Sequence, residues 1–220
     1  RRFPISAASG LLMSGFALLV ASLGMANPQI TPLVPVLRSP WLSLHVSLIM
    51  VSYALLGLLM LNGTAALALA AAARAGTAER TSRTLARLRL FGRLLLYPAV
   101  FLLTAGIFTG AVWANASWGR YWGWDPKEVW ALITLIVYAL PLHEQSLARF
   151  RRPLFFHAYT LWAFAAVLMT YFGVNYLLGG MHSYGGGFRP GYAAATVFAA
   201  VTAFALLTVA ALIRQRRMDT

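Results

Sequence analysis

Long apolar stretches separated by short polar segments that carry most of the arginines make up nearly the whole chain. Six of these stretches reach or approach the roughly 20 residues that an apolar helix needs to cross the ~30 Å hydrocarbon core of a bilayer. They lie at 6–26, 41–63, 94–115, 127–144, 154–176 and 192–213. The pattern therefore predicts an all-α integral membrane protein with about six transmembrane helices.

The composition supports this class. Of the 220 residues 60% are hydrophobic and only 10% charged, and the mean hydropathy is +0.71, which is too apolar for a soluble domain. The net charge of +13 could indicate nucleic-acid binding, but the cations lie between the apolar runs instead of forming one basic patch. We therefore expect the lipid bilayer, and no nucleic acid, as the surrounding partner.

The cations also predict the orientation. In a six-helix arrangement fourteen of them fall on one side, namely Arg1, Arg2, Arg74, Arg80, Arg83, Arg87, Arg89, Arg93, Arg149, Arg151, Arg152, Arg214, Arg216 and Arg217. Four fall on the other side, namely Arg38, Arg120, Lys127 and Arg189. Positive charge is retained in the cytoplasm, so both ends are expected there. The richness in Arg, Ala, Leu and Gly is typical of a GC-rich bacterial genome and favours the bacterial cytoplasmic (inner) membrane.

Two features of the apolar runs bear on the boundaries. The second run continues to Ala73, either as a tilted span or as a span that extends into a cytoplasmic helix. The first run is longer than the apolar part of a signal peptide, so we expect a retained span. No repeat or soluble domain is apparent, so residues 1–220 are expected to form a single membrane-embedded domain. Because the chain starts at Arg1 without Met, we expect it to be N-terminally incomplete.

The second of three expected outer loops is rich in tryptophan, with five between residues 113 and 130: Trp113, Trp118, Trp122, Trp124 and Trp130. An aromatic belt at the membrane interface would account for indoles at this depth. It would not call for Gly119 and Gly123 between the rings, which let the backbone turn. The pattern favours an apolar shelf of indole faces for a large flat ligand. Asp125, Pro126 and Glu128 also form a helix-start pattern, so Asp125 is expected to be an N-cap whatever its other role.

Four histidines are the strong metal ligands of a chain that contains no cysteine. His45 lies about one turn inside the outer end of the second span, and His182 lies in the last outer loop, 177–191. Both can approach the Trp-rich loop, and two imidazoles on opposite faces of a porphyrin are the simplest chemistry for such a pair. The alternative is that each is a hydrogen-bonded structural residue.

His143 follows Asp125 by about 18 residues, which is roughly 27 Å along a helix and places it near the cytoplasmic end of the fourth span. It is either a functional ionisable residue or a side chain that snorkels to the interface. His157 has a similar depth. Arg120, Lys127 and Arg189 are outer cations that could pair with carboxylates such as heme propionates, or with headgroups or Asp125.

Residues 118–133, Trp-Gly-Arg-Tyr-Trp-Gly-Trp-Asp-Pro-Lys-Glu-Val-Trp-Ala-Leu-Ile, resemble the tryptophan-rich "WWD" signature of heme-handling proteins, in the form found in the CcsA (ResC-like) component of cytochrome c synthase. Segments 41–53 and 171–184 resemble the first and second external heme-ligand segments of that family. The resemblance runs from about Asn27 to Tyr184.

The resemblance implies heme b as the substrate. It implies that His45 and His182 are external axial ligands and that His143 is a transmembrane histidine at which heme enters from the cytoplasmic side. The family pattern assigns no role to His157. The predicted heme-binding residues are His45, His182, His143, Trp118, Trp122, Trp124, Asp125 and Arg120.

The resemblance also implies cytochrome c biogenesis, in which heme reaches the external face of the membrane and is attached through thioether bonds to the Cys-x-x-Cys-His segment of apocytochrome c. The chain would be a component of a holocytochrome c synthase (heme lyase) that positions heme, because it has no nucleophile of its own. The implied partners are a CcsB (ResB-like) membrane protein, separate or fused to the CcsA part, apocytochrome c, and a thioredoxin-like protein that reduces thiols.

The residues leave three alternative functions open. A CcmC-like protein shares the WWD loop and external histidines but passes heme to a carrier protein; the segment 126–130 and His143 favour CcsA. A solute transporter would require interrupted helices and polar groups at the membrane midplane, of which Asn62 and Thr104 are weak examples. A purely structural assembly subunit would bind no heme.

Overall fold

The computed structural model describes residues 38–178, 180–181 and 191–219, and six positions between 7 and 15. All regular structure in these residues is helical. The α-helices are α1 (Pro40–Ala71), α2 (Ala78–Trp118), α3 (Pro126–Ala139), α4 (Pro153–Leu168), α5 (Val174–Leu177) and α6 (Gly191–Asp219). Short 3₁₀ helices occupy Ala75–Thr77, Leu140–His143 and Ala148–Arg151, and a π-helix at Met169–Gly173 joins α4 to α5.

Four helical segments of the described chain are long and apolar enough to cross a membrane: Pro40–Ala71, Ala78–Trp118, Pro153–Leu177 and Val197–Arg217. They contain or largely overlap the predicted spans at 41–63, 94–115, 154–176 and 192–213. The first predicted span, 6–26, lies outside the described residues except at those six positions. The protein is an all-α integral membrane protein.

The predicted span at 127–144 has a different structure. Helix α3 ends at Ala139 after 14 residues, and the chain continues as the 3₁₀ helix to His143. Pro141 is the cause, because it has no N–H to donate to the carbonyl of Val137. The hydroxyl of Tyr159 donates to that carbonyl instead, at 2.7 Å. At 1.5 Å per α-helical and 2.0 Å per 3₁₀ residue, the two segments together rise about 29 Å, close to the thickness of the hydrocarbon core.

Helices α1 and α2 are longer than a bilayer requires. Their 32 and 41 residues rise about 48 and 62 Å, against the ~30 Å of the hydrocarbon core. The extra length lies at the end of the bundle where the turn at Ala75–Thr77 connects α1 to α2. There α2 begins with an arginine-rich segment that includes an exposed Glu79–Arg83 ion pair of 3.4 Å. The second apolar run is thus one uninterrupted helix as far as Ala71.

Helix α1 lies at the centre, in contact with α2, α4 and α6. Two buried clusters hold the bundle together. One comprises Leu56, Leu59, Leu96, Ala99, Val100, Tyr138, Phe156, Ala163 and Val167, and the other Ala66, Leu67, Ala70, Leu85, Leu88, Leu154, Leu161 and Ala211. Hydrogen bonds between helices add to the packing, as expected for a helix bundle in lipid. Ser52 Oγ donates to the carbonyl of Ala99 at 2.8 Å, and Asn62 Nδ2 donates to that of Leu88 at 3.1 Å.

Large apolar side chains cover the outside of the bundle. Phe101 and Phe108 of α2 and Phe198 of α6 are each about 70% exposed or more. In water such a surface would be costly, whereas lipid chains solvate it. At the arginine-rich end the polar groups pair with one another, since Glu144 accepts from both Arg89 and Arg93.

Candidate functional site

A cavity of ≈ 290 Å³ opens at the end of the bundle that carries the Trp-rich loop. It lies between the first turns of α1, the last turns of α2, the start of α3 and the π-helix. The wall is mainly apolar, and its polar side chains are few. The polar side chains in the wall include His45, Tyr53, Trp113, Trp122, Lys127, Glu128 and Thr170. An apolar cavity with a few converging polar groups is the usual form of a binding site.

His45 lies in the second turn of α1 and faces the cavity while its other side packs on α2. Its Nδ1 donates a hydrogen bond of 2.7 Å to the carbonyl of Gly106. A carbonyl can only accept, so this bond fixes the proton of the neutral ring on Nδ1 and the lone pair on Nε2. Metal-binding histidines commonly donate their second nitrogen to a backbone carbonyl in this way. His45 therefore has the donor arrangement of an iron ligand.

The tryptophans divide between the cavity wall and the surface. Trp113 is buried and lines the cavity, and Trp118 packs on it edge to face with ring centroids 4.8 Å apart. Trp122 also lines the cavity and packs edge to face on Trp124, at 6.0 Å. Trp124 is 73% exposed. Of the predicted heme-binding tryptophans, Trp122 lines the cavity, as Trp113 does, whereas Trp118 and Trp124 pack against these two from outside its wall.

The loop is shaped by left-handed backbone at two positions. Gly119 ends α2 with φ of 72°, a conformation open to glycine without strain. Trp124 adopts φ of 57°, which is uncommon for a residue with a side chain. This backbone brings the loop to Asp125 at the start of α3.

Asp125 is the N-cap of α3, as predicted. Its side chain accepts from the backbone N–H of Lys127 at 3.2 Å, and Glu128 Oε2 accepts in return from the backbone N–H groups of Asp125 at 3.1 Å and Gly123 at 2.8 Å. This reciprocal capping box closes the Trp-rich loop onto the helix that follows.

Asp125 has a second role that the capping pattern did not reveal. Its Oδ1 also accepts from the backbone N–H of Met181 at 2.6 Å, and Asp125 is only 7% exposed. Arg120 lies against the sulfur of Met181 at 3.2 Å. The Trp-rich loop therefore holds the residue that precedes His182 in the chain. His182 itself, and Arg189, lie outside the described residues.

The outer cations differ in their relation to the cavity. Lys127 lines it, and its Nζ donates to Asn175 Oδ1 at 2.9 Å. Arg120 is exposed and packs over Gly123 and Met181, outside the cavity wall. Lys127 is therefore the cation better placed to meet a carboxylate of a molecule in the cavity.

His143 lies at the opposite end of the bundle. It ends the 3₁₀ helix after α3, is exposed, and precedes Glu144, which both Arg89 and Arg93 bind. A rise of about 29 Å separates it from the start of α3, so it cannot share a ligand with His45. The depth inferred from the sequence agrees with this position.

His157 is fully buried in α4. Its Nε2 donates to the carbonyl of Leu85 at 3.2 Å, and Nδ1 has no hydrogen-bond partner among the described residues. This is the environment of a residue that joins α4 to α2.

Several cavity residues carry no strong sequence signal. Thr170 and Tyr171 reach the wall from the π-helix, a distortion often found at functional sites. Gly106 and Gly110 belong to a Gly-x-x-x-Gly pair, which is a signal of close helix packing. The Gly-x-x-x-Gly pattern is visible in the sequence, but the sequence does not show that Gly110 faces His45.

The chain matches the family described as Cytochrome C assembly protein over residues 2–182. The match includes the first apolar run, which the motifs themselves did not reach. The chain is 43% identical over 185 residues to Protein NrfI of Wolinella succinogenes, which covers 84% of this chain and 20% of that protein.

Two relatives are named Cytochrome c biogenesis protein CcsA. The protein of Chlamydomonas reinhardtii is 38% identical over 177 residues, 80% of this chain and 48% of its own length. That of Synechococcus sp. (strain WH7803) is 37% identical over 219 residues, which cover 83% of this chain and 68% of that protein. The chain thus spans from a fifth to about two thirds of the length of these relatives. It belongs to the Cytochrome C assembly protein family and is of the CcsA type.

Proposed function

We propose that the protein binds heme in the outer cavity and presents it for covalent attachment to apocytochrome c. The observation that supports this most directly is His45, whose Nδ1 proton is held by the carbonyl of Gly106 while its ring faces a cavity walled by Trp113 and Trp122. Heme is here a substrate that passes through the site. The cavity matches it chemically, since it offers an imidazole for iron and indole faces for the macrocycle.

The residues divide the work of holding heme. His45 and His182 are the proposed axial ligands, and Asp125 ties the chain before His182 to the Trp-rich loop. Lys127 is the proposed partner of a propionate. The chain has no cysteine, so the thiols that add to the heme vinyl groups are those of apocytochrome c, kept reduced by a thioredoxin-like protein. What this chain contributes is position and exclusion of water.

We further propose six spans with both ends in the cytoplasm of a bacterium and the heme cavity on the external, periplasmic side. The division of the cations supports this orientation, because the arginine-rich ends of α2 and α6 lie opposite the Trp-rich loop. A CcsB (ResB-like) membrane protein is the proposed partner within the bilayer. Heme then has to move from His143 at the inner end to His45 at the outer end.

The absence of cysteine from the sequence makes the orientation directly measurable. We expect a membrane-impermeant maleimide to label the Ala116→Cys variant in cells whose cytoplasmic membrane is intact, because residue 116 is exposed beside the Trp-rich loop. The Ser146→Cys variant, exposed at the other end, should be labelled only after permeabilisation. The wild-type chain is the unlabelled control. The reverse pattern would show that the cavity faces the cytoplasm.

The function is tested on protein purified from membranes of cells that also produce the ResB-like partner. We expect the absorption spectrum of a low-spin heme with two imidazole ligands. In the His143→Gln variant we expect most of this heme to be lost while the spectrum of the remainder is unchanged, since His143 lies too far away to bind the same iron. Cytochrome c yield in the cells should fall in parallel.

Each result of this experiment decides one point. Wild-type protein without heme would exclude the proposed function. Normal heme content and cytochrome c yield in His143→Gln would instead remove His143 from the path of heme and leave it as an interfacial side chain.

A further inference from the structure

Helices α1 and α2 approach closely beside the cavity, where two glycines of α2 face two larger side chains of α1. Gly106 and Gly110 are one helical turn apart, as are His45 and Ile49. A Cβ atom at Gly110 would lie 2.6 Å from both Cε1 and Nδ1 of His45, and one at Gly106 would lie 2.6 Å from Cδ1 of Ile49. Such distances are far inside van der Waals contact. Both side chains therefore occupy space that exists only because α2 carries glycine.

The space over Gly110, which we call the imidazole recess, acts together with a hydrogen bond. The imidazole of His45 fills the recess and donates from Nδ1 to the carbonyl of Gly106. The same carbonyl shares the hydroxyl of Thr109 with the carbonyl of Ala105, each at 3.0 Å. One restraint is steric and the other is directional, and together they restrict rotation about both side-chain torsions of the ring.

We propose that Gly110 and the carbonyl of Gly106 are positioning groups for His45, which fix the rotation of its imidazole so that Nε2 is aimed into the cavity. The inference rests on the proposed function, in which His45 binds heme iron. The inference adds to that function a role for α2, which orients a ligand that α1 carries. The competing interpretation is that the two glycines merely allow tight helix packing, as such pairs often do in membranes.

The two interpretations differ in what a methyl group at Gly110 would change. If the recess orients the ring, the methyl group rotates His45 away from Gly106 and alters the bond to iron. Loss of an outer-shell contact to a metal-binding histidine typically weakens metal binding by about 10- to 100-fold. If the glycines serve packing alone, the methyl group separates the helices without a specific effect on the iron.

The test compares Gly110→Ala with Gly92→Ala in the full chain. Gly92 is a matched control because it lies on the same helix and is equally crowded: a Cβ there would lie 2.8 Å from Cε1 of Phe156. It is about 27 Å from Gly110 along the helix. The measurements are heme affinity, the electron paramagnetic resonance spectrum of the ferric heme, which responds to the planes of the axial imidazoles, and thermal stability.

We expect Gly110→Ala to weaken heme binding by roughly tenfold or more and to shift the resonance spectrum, as expected from loss of an outer-shell contact. Gly92→Ala should leave both unchanged in the protein that folds. A folded Gly110→Ala variant with wild-type affinity and spectrum would overturn the inference.

Failure of Gly110→Ala to fold would also be informative. A clash with the imidazole disappears when the imidazole is removed, so the double variant His45→Ala/Gly110→Ala should then accumulate as well as His45→Ala alone. A double variant that still fails to accumulate would show that position 110 does not act through His45 and would overturn the inference.

The inference and the proposed function fail in different ways. Wild-type protein without heme would refute the proposed function, whereas wild-type heme content and spectrum in His45→Ala would refute the assignment of His45 as an iron ligand and with it the inference. Additive effects of the substitutions at 45 and 110 on thermal stability would refute the recess whatever heme the protein carries.

Discussion

Replacing His45 with alanine is expected to remove most of the heme from the outer site and to change the spectrum of the rest. The reason is direct, because the substitution deletes a proposed axial ligand. Its effect on affinity should exceed the roughly 10- to 100-fold typical of an outer-shell contact. Heme content and absorption spectra of purified protein, with cytochrome c yield in the cells, provide the measurement.

The fold should survive this substitution. The carbonyl of Gly106 loses one donor but retains the hydroxyl of Thr109 at 3.0 Å, so it is not left without a partner and the usual cost of about 1–3 kcal/mol does not apply in full. His45 is only partly buried. The His45→Ala protein should therefore be stable enough to purify, and its heme loss can be separated from misfolding.

Ser47→Ala is the matched control for His45→Ala. Ser47 is exposed on the same helix, and its hydroxyl bonds only within α1, to the carbonyl of Ser43 at 2.8 Å. Its removal should leave heme content unchanged. A six-coordinate wild-type spectrum and normal cytochrome c yield in His45→Ala would mean that another group binds the iron.

Properties set by the local sequence were predicted well. The four described segments that are long and apolar enough to span a membrane correspond to runs of apolar residues, since burial in lipid depends on composition more than on partners. The start of α3 followed from Asp125, Pro126 and Glu128, whose capping interactions act within four residues.

Two helix boundaries differ from those that hydropathy predicted. Hydropathy placed the end of the fourth span at residue 144, but Pro141 ends α3 at Ala139 and Tyr159 of α4 compensates for the missing bond. Likewise the arginine-rich start of α2 is helical although it is not apolar, because it continues a helix already formed by the span.

The candidate site shows the same division. The depth of His45 could be inferred from its position in an apolar run. Its recess on Gly110 could not, because it depends on which faces of α1 and α2 meet. The sequence predicted Arg120 as a heme-binding residue and Lys127 only as a further outer cation. The packing of the loop instead places Lys127 in the cavity wall and Arg120 outside it.

Replacing Asp125 with alanine is expected to release the last outer loop and so to weaken iron binding by His182, the proposed second axial ligand. Two N–H groups lose their acceptor, that of Lys127 in the helix start and that of Met181 in the loop. Loss of an N-cap costs about 1 kcal/mol, and a hydrogen bond to a charged group, such as that from Met181, contributes about 1.5–3 kcal/mol. We expect the Asp125→Ala protein to contain less heme than the wild type and to show a spectrum shifted toward that of five-coordinate iron.

Two further substitutions at Asp125 address the cap and the loop contact. Asparagine has one oxygen where aspartate has two, and its Nδ2 cannot accept, so Asp125→Asn can keep the bond to Lys127 or the bond to Met181 but not both. Its heme content should fall between those of the wild type and Asp125→Ala. Serine is as good an N-cap but is shorter by one atom, so Asp125→Ser should keep the start of α3 and lose the bond to Met181. The loop packs directly on this carboxylate, since a Cβ at Gly180 would lie 2.6 Å from Oδ1 of Asp125.

The serine variant therefore decides what Asp125 does for the site. If the loop contact is what matters, Asp125→Ser should share the shifted spectrum of Asp125→Ala, and hydrogen exchange at the backbone amide of Met181 should be faster in both. A wild-type spectrum in Asp125→Ser would mean that Asp125 serves only to cap α3, and that His182 is held in place by other contacts.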